Sequence, residues 1–169
     1  MRPVSMFTTA GNKLLDVLPP KAQSVAWQAF QASHLALFRA SGRRLGTTFG
    51  DVHVLFLHHK GAKSGTERIS PLLYVEDGQN LAIIASKGGH VKHPAWFHNL
   101  KAHPDVEVEL RGGVRSMHAR VAEGEERERI WKKAVAVWPD YDAYARRAPH
   151  RTIPVVVLEP SDAGPARPD

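Results

Sequence analysis

The chain has 169 residues, 43% of them hydrophobic, which is enough for one domain with a sizeable core. It contains no cysteine, which excludes disulfides, thiolate catalysis and zinc sites built on cysteine. Its formal net charge of +6 at pH 7 favours an anionic partner. No apolar run approaches the ~20 residues of a membrane-spanning helix, and the chain does not begin with a signal-peptide pattern, so we expect a cytoplasmic protein.

Residues 1–44 predict an N-terminal helical segment. Between Gly11 and Arg39, apolar residues recur at helical spacing, with a break at Pro19 and Pro20. Packing against the rest of the protein is the simplest role for such a face. Peripheral contact with a membrane surface is the alternative, because positive residues flank the segment. The sequence leaves both roles open.

From residue 45 to residue 160 the pattern predicts a mainly β fold with helices (α+β). Val52–Leu57 is almost continuously apolar, and Leu72–Val75 and Leu81–Ala85 flank a turn at Asp77 and Gly78. Further strands are predicted at Val106–Leu110, Val114–Ala122 and Ile153–Leu158, with helices at Gly124–Val137 and Pro139–Arg147. Hairpins without a βαβ repeat indicate an antiparallel barrel. Residues 161–169, which are small, polar or proline, should form a disordered tail.

A cationic glycine turn lies between a predicted strand and a predicted helix. Lys87 and Lys92 supply charge, while Gly88 and Gly89 permit positive φ and close approach of a ligand. Pro94 fits the first position of a helix, whose free N–H groups would face the same pocket. The pattern predicts an anion-binding turn, with a solvated connection as the alternative.

A second glycine-bracketed turn, Gly61–Arg68, lies upstream between two predicted strands. It is not a P-loop, because no glycine immediately precedes Lys63 and no helix pattern follows. Solvated surface charge is the alternative for each cation taken alone. If both turns line one groove, their cations would hold a phosphate and a row of carboxylates. These cations are Lys60, Lys63, Arg68, Lys87 and Lys92.

Several other functions lack their sequence patterns. The basic residues are scattered and no nucleic-acid motif is present, so no nucleic-acid partner is expected. The histidines, including His90, His93 and His98, form no His-Glu-x-x-His pair and have no carboxylate beside them, so no metal is expected. A Gly-x-Ser-x-Gly elbow and a Gly-x-Gly-x-x-Gly fingerprint are both missing. Chemistry carried by a cofactor, for which the protein needs no reactive side chain, fits this pattern.

Several spaced motifs together resemble the deazaflavin-dependent nitroreductase family. They are Gly61-Ala62-Lys63-Ser64-Gly65-x-x-Arg68, Pro71-Leu72-Leu73-Tyr74, Ala85-Ser86-Lys87-Gly88-Gly89, His93-Pro94-x-Trp96-x-x-Asn99-Leu100, Pro139-x-Tyr141-x-x-Tyr144 and Ile153-Pro154-Val155-Val156-Val157-Leu158. The likeness covers about residues 45–160. It implies a split β-barrel that binds reduced coenzyme F420, a phosphorylated deazaflavin with a γ-glutamyl tail. We expect the protein to be a homodimer. The hydride would pass to a small-molecule acceptor such as a quinone, an enone or a nitroaromatic.

The resemblance also implies roles for individual residues. The phosphate and tail would be held by Lys63, Ser64, Arg68 and Lys87, with backbone approach at Gly65, Gly88 and Gly89. Lys60 would replace the charge of the family's arginine, which is Ala62 here. The deazaflavin ring would be framed by Ser70, Pro71, Ala85, Ser86, Pro94, Ala95, Trp96 and Asn99. Ser86 would keep the ring in register, and Tyr141 and Tyr144 would bind the acceptor. Packing in the core is the alternative for Trp96 and for the tyrosine pair.

Three departures from the family pattern bear on specificity. The family's arginine after the first loop glycine is Ala62 here, its threonine-rich strand end is His58-His59-Lys60, and a frequent tyrosine is Trp138. Trp138 removes a hydroxyl donor and enlarges an apolar wall, so activity on nitroimidazoles is not implied. Two alternatives remain at this point, an FMN-binding reductase with the same barrel and a non-catalytic carrier of deazaflavin or another hydrophobic anion.

Overall fold

The computed structural model describes residues 33, 35–41, 48, 49 and 52–161. The chain divides into two compact units, Met1–Gly46 and Thr47–Asp169. In the first unit, residues 35–40 are helical. The rest of the helical segment predicted between Gly11 and Arg39, and the predicted tail beyond Ser161, lie outside the described residues. Among the described helices, none combines the length and apolar character needed to cross a membrane.

The second unit contains an antiparallel β-barrel. Its strands are β1 (Thr48–Phe49), β2 (Val52–Lys60), β3 (Glu67–Asp77), β4 (Asn80–Ile84), β5 (Asp105–Leu110), β6 (Gly113–Val121) and β7 (Val155–Pro160). They hydrogen-bond in the order β1-β2-β3-β4-β7-β6-β5, and β2 also pairs with β5. This last pairing closes six strands into a barrel, with β1 as a short addition to β2. The predicted antiparallel barrel is therefore confirmed.

The barrel closes along a short seam. Three residue pairs join β2 to β5: Phe56 with Glu109, Leu57 with Val108, and His58 with Glu107. In contrast, β2 pairs with β3 as far as Lys60, which lies opposite Glu67. The last two residues of β2 thus have a neighbour on one side and diverge from β5 on the other. The barrel is split at this end.

Three helices complete the described part of the second unit. They are α1 (Ala95–Ala102), α2 (Gly124–Val137) and α3 (Asp140–Arg147), and a single 3₁₀ turn covers Lys87–Gly89. The predicted helix over Gly124–Val137 has the bounds expected from its sequence pattern. Pro94 does not occupy the first helical position as predicted, because its ψ of 151° is extended and it is the N-cap residue of α1.

Two apolar cores share the strands of the barrel. Along β4, Leu81 and Ile83 lie in the barrel core. Ala82 and Ile84 belong to a second core, the outer core, which includes residues of α2 and α3. Successive side chains of a strand point to opposite faces, so a strand covered on both faces is apolar throughout. The barrel and its helical layer are therefore held together through β4 and β7.

Several strand boundaries differ from their predictions: β3 begins at Glu67 rather than Leu72, and β7 spans Val155–Pro160 rather than Ile153–Leu158. The first predicted strand was limited to the apolar run Val52–Leu57, but β2 continues to Lys60 because its last residues pair with β3. The turn predicted at Asp77 and Gly78 is shifted by one residue, since Asp77 still pairs with Asn80. The side chain of Asp77 accepts hydrogen bonds from Arg129 and Lys133 of α2, which ties the hairpin to that helix.

Candidate active site

The first cationic turn, turn 1 (Gly61–Thr66), is closed by its own backbone. The Gly61 N–H donates to the Thr66 carbonyl at 2.9 Å, and the Gly65 N–H donates to the Gly61 carbonyl at 2.8 Å. Gly65 has a φ of +64°, a left-handed conformation that favours glycine, and a Cβ there would meet open space. Turn 1 therefore needs glycine at residue 65 for its backbone angle rather than for packing.

The second cationic turn, turn 2 (Lys87–Gly89), has a left-handed backbone. The φ angles of Lys87, Gly88 and Gly89 are 49°, 62° and 80°. The Gly89 N–H donates to the Ser86 carbonyl at 3.0 Å, and the His90 N–H donates to the Lys87 carbonyl at 3.1 Å. Lys87 is the one non-glycine residue of the described chain with positive φ. Such a conformation costs about 1–2 kcal/mol, so other contacts must stabilise it.

Helix α1 joins the two turns. Turn 2 leads into α1, and the side chain of Asn99, on the second turn of α1, accepts the Ala62 N–H of turn 1 at 2.9 Å. Asn99 is 7% exposed. The structure thus ties both predicted turns to one helix, although among the described residues no side-chain contact joins turn 1 directly to turn 2.

A buried hydrogen-bond network extends from Asn99 into the barrel. The Asn99 Nδ2 lies 2.9 Å from His59 Nδ1, and His59 Nε2 lies 3.1 Å from Ser70 Oγ. Because the amide nitrogen can only donate, Nδ1 of His59 accepts, and Nε2 carries the proton and donates to Ser70. Burial, with Arg68 and His58 adding to it, lowers the pKa of His59 to about 4. His59 is therefore neutral at pH 7, as this network requires.

The predicted cofactor cations are exposed and lack carboxylate partners within the described part of the chain. Other cations on the barrel are engaged by carboxylates: Arg120, for example, donates to Glu126 at 2.6 and 2.8 Å and to Glu159 at 2.8 Å. The predicted cofactor cations, none of which has such a partner, are Lys60, Lys63, Arg68, Lys87 and Lys92. Exposed cations that are not engaged by carboxylates can bind an anionic ligand.

Turn 2 packs directly against α3. A Cβ built on Gly89 would lie 2.8 Å from the Tyr144 carbonyl oxygen and 2.9 Å from Arg147 Cβ. Gly89 was predicted to allow approach of the cofactor, but the space on its Cβ side is filled by α3. Among the three glycines predicted for backbone approach, Gly65 and Gly88 have open space on that side.

The two predicted acceptor tyrosines lie on the inner side of α3. Tyr141 is 6% exposed within the outer core, and its ring meets that of Tyr144 edge to face at 6.1 Å. Burial raises the pKa of Tyr141, and Tyr144 contributes to the same direction. The Tyr141 hydroxyl is therefore protonated at pH 7 and can donate a hydrogen bond. Packing is the observed contribution of Tyr141, and acceptor binding by this pair stays a prediction.

The residues predicted to frame the ring are placed around the start of α1. Ser86 is 8% exposed, and its hydroxyl makes no hydrogen bond within the described residues, so it remains able to bind a ligand. Trp96 is 8% exposed and packs in the barrel core, where its ring meets that of Phe97. The structure thus shows the packing alternative for Trp96 and does not test a contact with a ring. Pro94 is buried, Ala95 is exposed, and Ser70 and Pro71 are half-buried on β3.

Two residues near the turns were missed by sequence reasoning. His59 stands in the polar strand end His58-His59-Lys60, where only the strand alternation from Leu57 indicates that its side chain points inward. Arg151 lies in a basic segment after α3, and no sequence pattern around it predicts a contact with turn 2. Its guanidinium binds the carbonyls of Ala85, Ser86 and His90, which flank turn 2.

An open groove of about 650 Å³ lies where β2 and β5 diverge. Lys60 and Arg68 line it, together with the carboxylates of Glu67, Asp105 and Glu107. Met117 and Val106 contribute apolar surface. Its volume is in the range of small-molecule sites. In the described residues no group of three or more His, Asp or Glu side chains is arranged to hold a metal.

Comparisons with known proteins show the family and the fold of this chain. The family model for F420H(2)-dependent quinone reductase matches residues 31–160. An F420H(2)-dependent quinone reductase of Mycobacterium tuberculosis is 36% identical over 129 residues, which are 74% of this chain and 86% of that protein. A solved F420-H2 dependent reductase is 44% identical, with a TM-score of 0.58, covering 63% of this chain and 93% of its own. A domain-swapped dimer is 38% identical, with a TM-score of 0.61, covering 80% and 99%.

Proposed function

We propose, from the premise that the chain belongs to the F420H(2)-dependent quinone reductase family, that its acceptor is a quinone and that turns 1 and 2 hold the cofactor. Membership makes the chain an F420H(2)-dependent oxidoreductase that uses coenzyme F420. The FMN alternative receives no support from the comparisons. Enones and nitroaromatics are the other acceptor classes to compare with quinones.

The observation that carries this assignment is the set of unpaired cations on two turns tied to one helix. A phosphate and a glutamyl tail are anions, and charge-assisted hydrogen bonds from Lys and Arg recognise both. Lys63 lies on turn 1, Arg68 follows that turn at the start of β3, and Lys87 lies on turn 2. The groove beside Lys60 and Arg68 also contains the carboxylates of Glu67, Asp105 and Glu107, so we assign the anionic groups of the cofactor to the turns and not to the groove. The cations of the turns fit the cofactor.

The protein's own part in the reaction is positioning and electrostatics. Reduced F420, when bound, supplies the hydride, so no protein nucleophile is needed. The Ser86 hydroxyl, which has no partner among the described residues, can hold a ring edge in register. Tyr144 can donate its hydroxyl proton as a hydrogen bond to a quinone oxygen as negative charge develops there. Trp138, half-buried beside Tyr141 in the outer core, supplies an apolar wall that suits a quinone ring.

Titration of the purified protein with F420 and with FMN tests the cofactor assignment. We expect Lys63→Ala and Arg68→Ala each to weaken F420 binding by about 1.5–3 kcal/mol, because each removes a charge-assisted hydrogen bond. Lys132→Ala is the matched control, since Lys132 is exposed on α2 away from both turns. Wild-type affinity in low salt for both turn variants would remove turn 1 from the site.

A panel of acceptors tests the quinone assignment. Turnover with a quinone should exceed turnover with a nitroimidazole of similar size. The reason is that this chain has Trp138 at a position where the resembled family frequently has a tyrosine, which is a hydroxyl donor. Tight F420 binding without turnover of any acceptor would favour a carrier. The opposite order of acceptors would assign the protein to nitro reduction.

We also propose that the protein is a homodimer. A relative that is 38% identical and spans 80% of this chain was solved as a domain-swapped dimer. Light scattering after size-exclusion chromatography measures the mass directly. Cytoplasmic localisation, and membrane contact through residues 1–44, are tested by fractionating cells that express the full chain and a chain lacking those residues.

A further inference from the structure

Arg151 makes an unusual set of contacts with the segment that contains turn 2. Its Nη2 donates to the Ser86 carbonyl at 2.8 Å, its Nε donates to the His90 carbonyl at 3.0 Å, and its Nη1 lies 3.4 Å from the Ala85 carbonyl. Nη1 also lies 3.0 Å from His93 Nδ1, which accepts. One guanidinium thus binds the backbone immediately before and immediately after turn 2.

These contacts are made without a carboxylate. Within the described part of the chain Arg151 has no acidic partner, in contrast to Arg120 and Arg129, which bind carboxylates. Partial burial lowers the pKa of Arg151, but the group remains charged at pH 7. Burial of a charged group is unfavourable unless hydrogen bonds compensate it. Here backbone carbonyls compensate it, so its positive charge remains available to an anion near turn 2.

The backbone that Arg151 brackets is the part that needs support. Lys87 holds a left-handed φ that side chains other than glycine rarely adopt. The two hydrogen bonds inside the turn start from the Gly89 and His90 N–H groups. The Ser86 carbonyl accepts both the Gly89 N–H and Arg151 Nη2, so the guanidinium reinforces the bond that closes the turn.

Arg151 also connects turn 2 to α3. Its N–H donates to the carbonyl of Ala148, the C-cap residue of α3, at 3.2 Å. Gly89 packs against the same helix near Tyr144 and Arg147. Arg151 therefore connects α3, which contains the predicted acceptor tyrosines, to turn 2, which contains the predicted cofactor lysine.

We propose that Arg151 is the positioning residue of turn 2, holding Lys87 and the Ser86 hydroxyl in the geometry that binds F420. This inference rests on the proposed function, because it assigns the same cofactor to turn 2. Arg151 itself needs no contact with the cofactor. It acts through the carbonyls of residues 85, 86 and 90.

The test uses Arg151→Met, which keeps most of the side-chain bulk, and Arg151→Lys, which keeps the charge but cannot bind several carbonyls at once. Arg146→Met is the matched control, because Arg146 is an exposed arginine in the last turn of α3. We expect Arg151→Met to raise the Kd for F420 at least tenfold and Arg151→Lys to raise it severalfold. At saturating F420H2, kcat should also fall, because Arg151 positions the Ser86 hydroxyl that keeps the ring in register, while the KM for the quinone should stay within threefold of wild type.

A second readout needs no cofactor. Amide hydrogen exchange of Gly89 and His90 should accelerate at least tenfold in Arg151→Met, while amides of β5 and β6 keep their wild-type protection. Unchanged Kd and unchanged exchange in both variants would overturn the proposal. Acceleration spread evenly over the barrel would also overturn it by showing a general loss of stability. If wild-type protein fails to bind F420, the proposed function fails, and the exchange of Gly89 and His90 still decides whether Arg151 holds the turn.

Discussion

Turn 1 and turn 2 have similar compositions, each with glycine and lysine, but they are stabilised in different ways. Turn 1 is exposed and closed by its own backbone, with one anchor to Asn99. Turn 2 is left-handed over three residues, packs against α3 through Gly89, and is flanked by carbonyls that accept hydrogen bonds from Arg151. Glycine therefore supplies backbone freedom in turn 1 and, at Gly89, also the space for a helix. A motif of glycines and lysines specifies the ligand chemistry but not how the turn is held.

The largest expected difference between the turns is in how much the substitution of a glycine by alanine lowers the free energy of unfolding. Gly89→Ala should lower the free energy of unfolding by about 2–4 kcal/mol, because it adds overpacking against α3 to a positive φ. Gly65→Ala, which adds a positive-φ penalty in open space, should cost about 1 kcal/mol. Urea denaturation of both variants measures the difference. Equal losses would show that α3 moves aside from turn 2 without cost.

The second expected difference is in the response to acid. The pKa of His59 falls from 6.5 to about 4 on folding, so the unfolded chain takes up more protons between these values. The contribution of His59 to the free energy of unfolding is therefore fully present above about pH 6.5 and falls as the pH drops through this window. Near pH 4 this contribution, up to about 3 kcal/mol, is lost. Protonation also removes the acceptor that Asn99 uses, which releases the anchor of turn 1.

The pH dependence of His59→Gln provides the control for that effect. Glutamine does not titrate, so the difference in unfolding free energy between wild type and variant should shrink as the pH falls from 7 to 4. Carboxylates such as Asp77, whose pKa its Arg129 and Lys133 partners lower to about 2, change at lower pH and equally in both proteins. A pH-independent difference between the two proteins would place the titration elsewhere.

The smallest expected effect concerns Tyr144, which borders turn 2 through its backbone. Because Gly89 meets the carbonyl and Cα of Tyr144, Tyr144→Phe leaves that packing intact. F420 affinity should stay within a few-fold of wild type, while kcat should fall about tenfold if the hydroxyl serves the acceptor. Tyr141→Phe should behave similarly. A large fall in the melting temperature of Tyr141→Phe would instead identify a structural hydroxyl.

The sequence predicted the strands and helices of the second unit well because periodicity and turn residues act locally. Strict alternation from Val106 to Leu110 predicted β5, and a charged amphipathic pattern predicted α2 with its observed bounds. The end of β2 was missed because His58, His59 and Lys60 are polar and their pairing partners lie on β3. Strand ends fixed by a neighbouring strand have no local pattern.

The candidate site was predictable in its charges and not in its supports. Lys63, Arg68 and Lys87 stand in motifs that can be recognised from spacing alone. Arg151 reaches turn 2 from more than sixty positions away, and no pattern around it marks that contact. Asn99 was predicted to frame the ring, but both ends of its amide are engaged with Ala62 and His59. Such contacts depend on the packing of distant segments.

The short seam between β2 and β5 has a consequence for how the chain folds. The strands β2, β3 and β4 follow one another closely, so their pairing closes only short loops. Joining Phe56 to Glu109 must close a loop of about fifty residues, and it gains three residue pairs, fewer than any other pairing in the barrel. The β4–β7 pairing closes a loop of more than seventy residues, so we expect both long-range pairings to form after the hairpins. Until β5 pairs, the edge of β2 is open to β5 of a second copy, which is an exchange that would give a domain-swapped dimer.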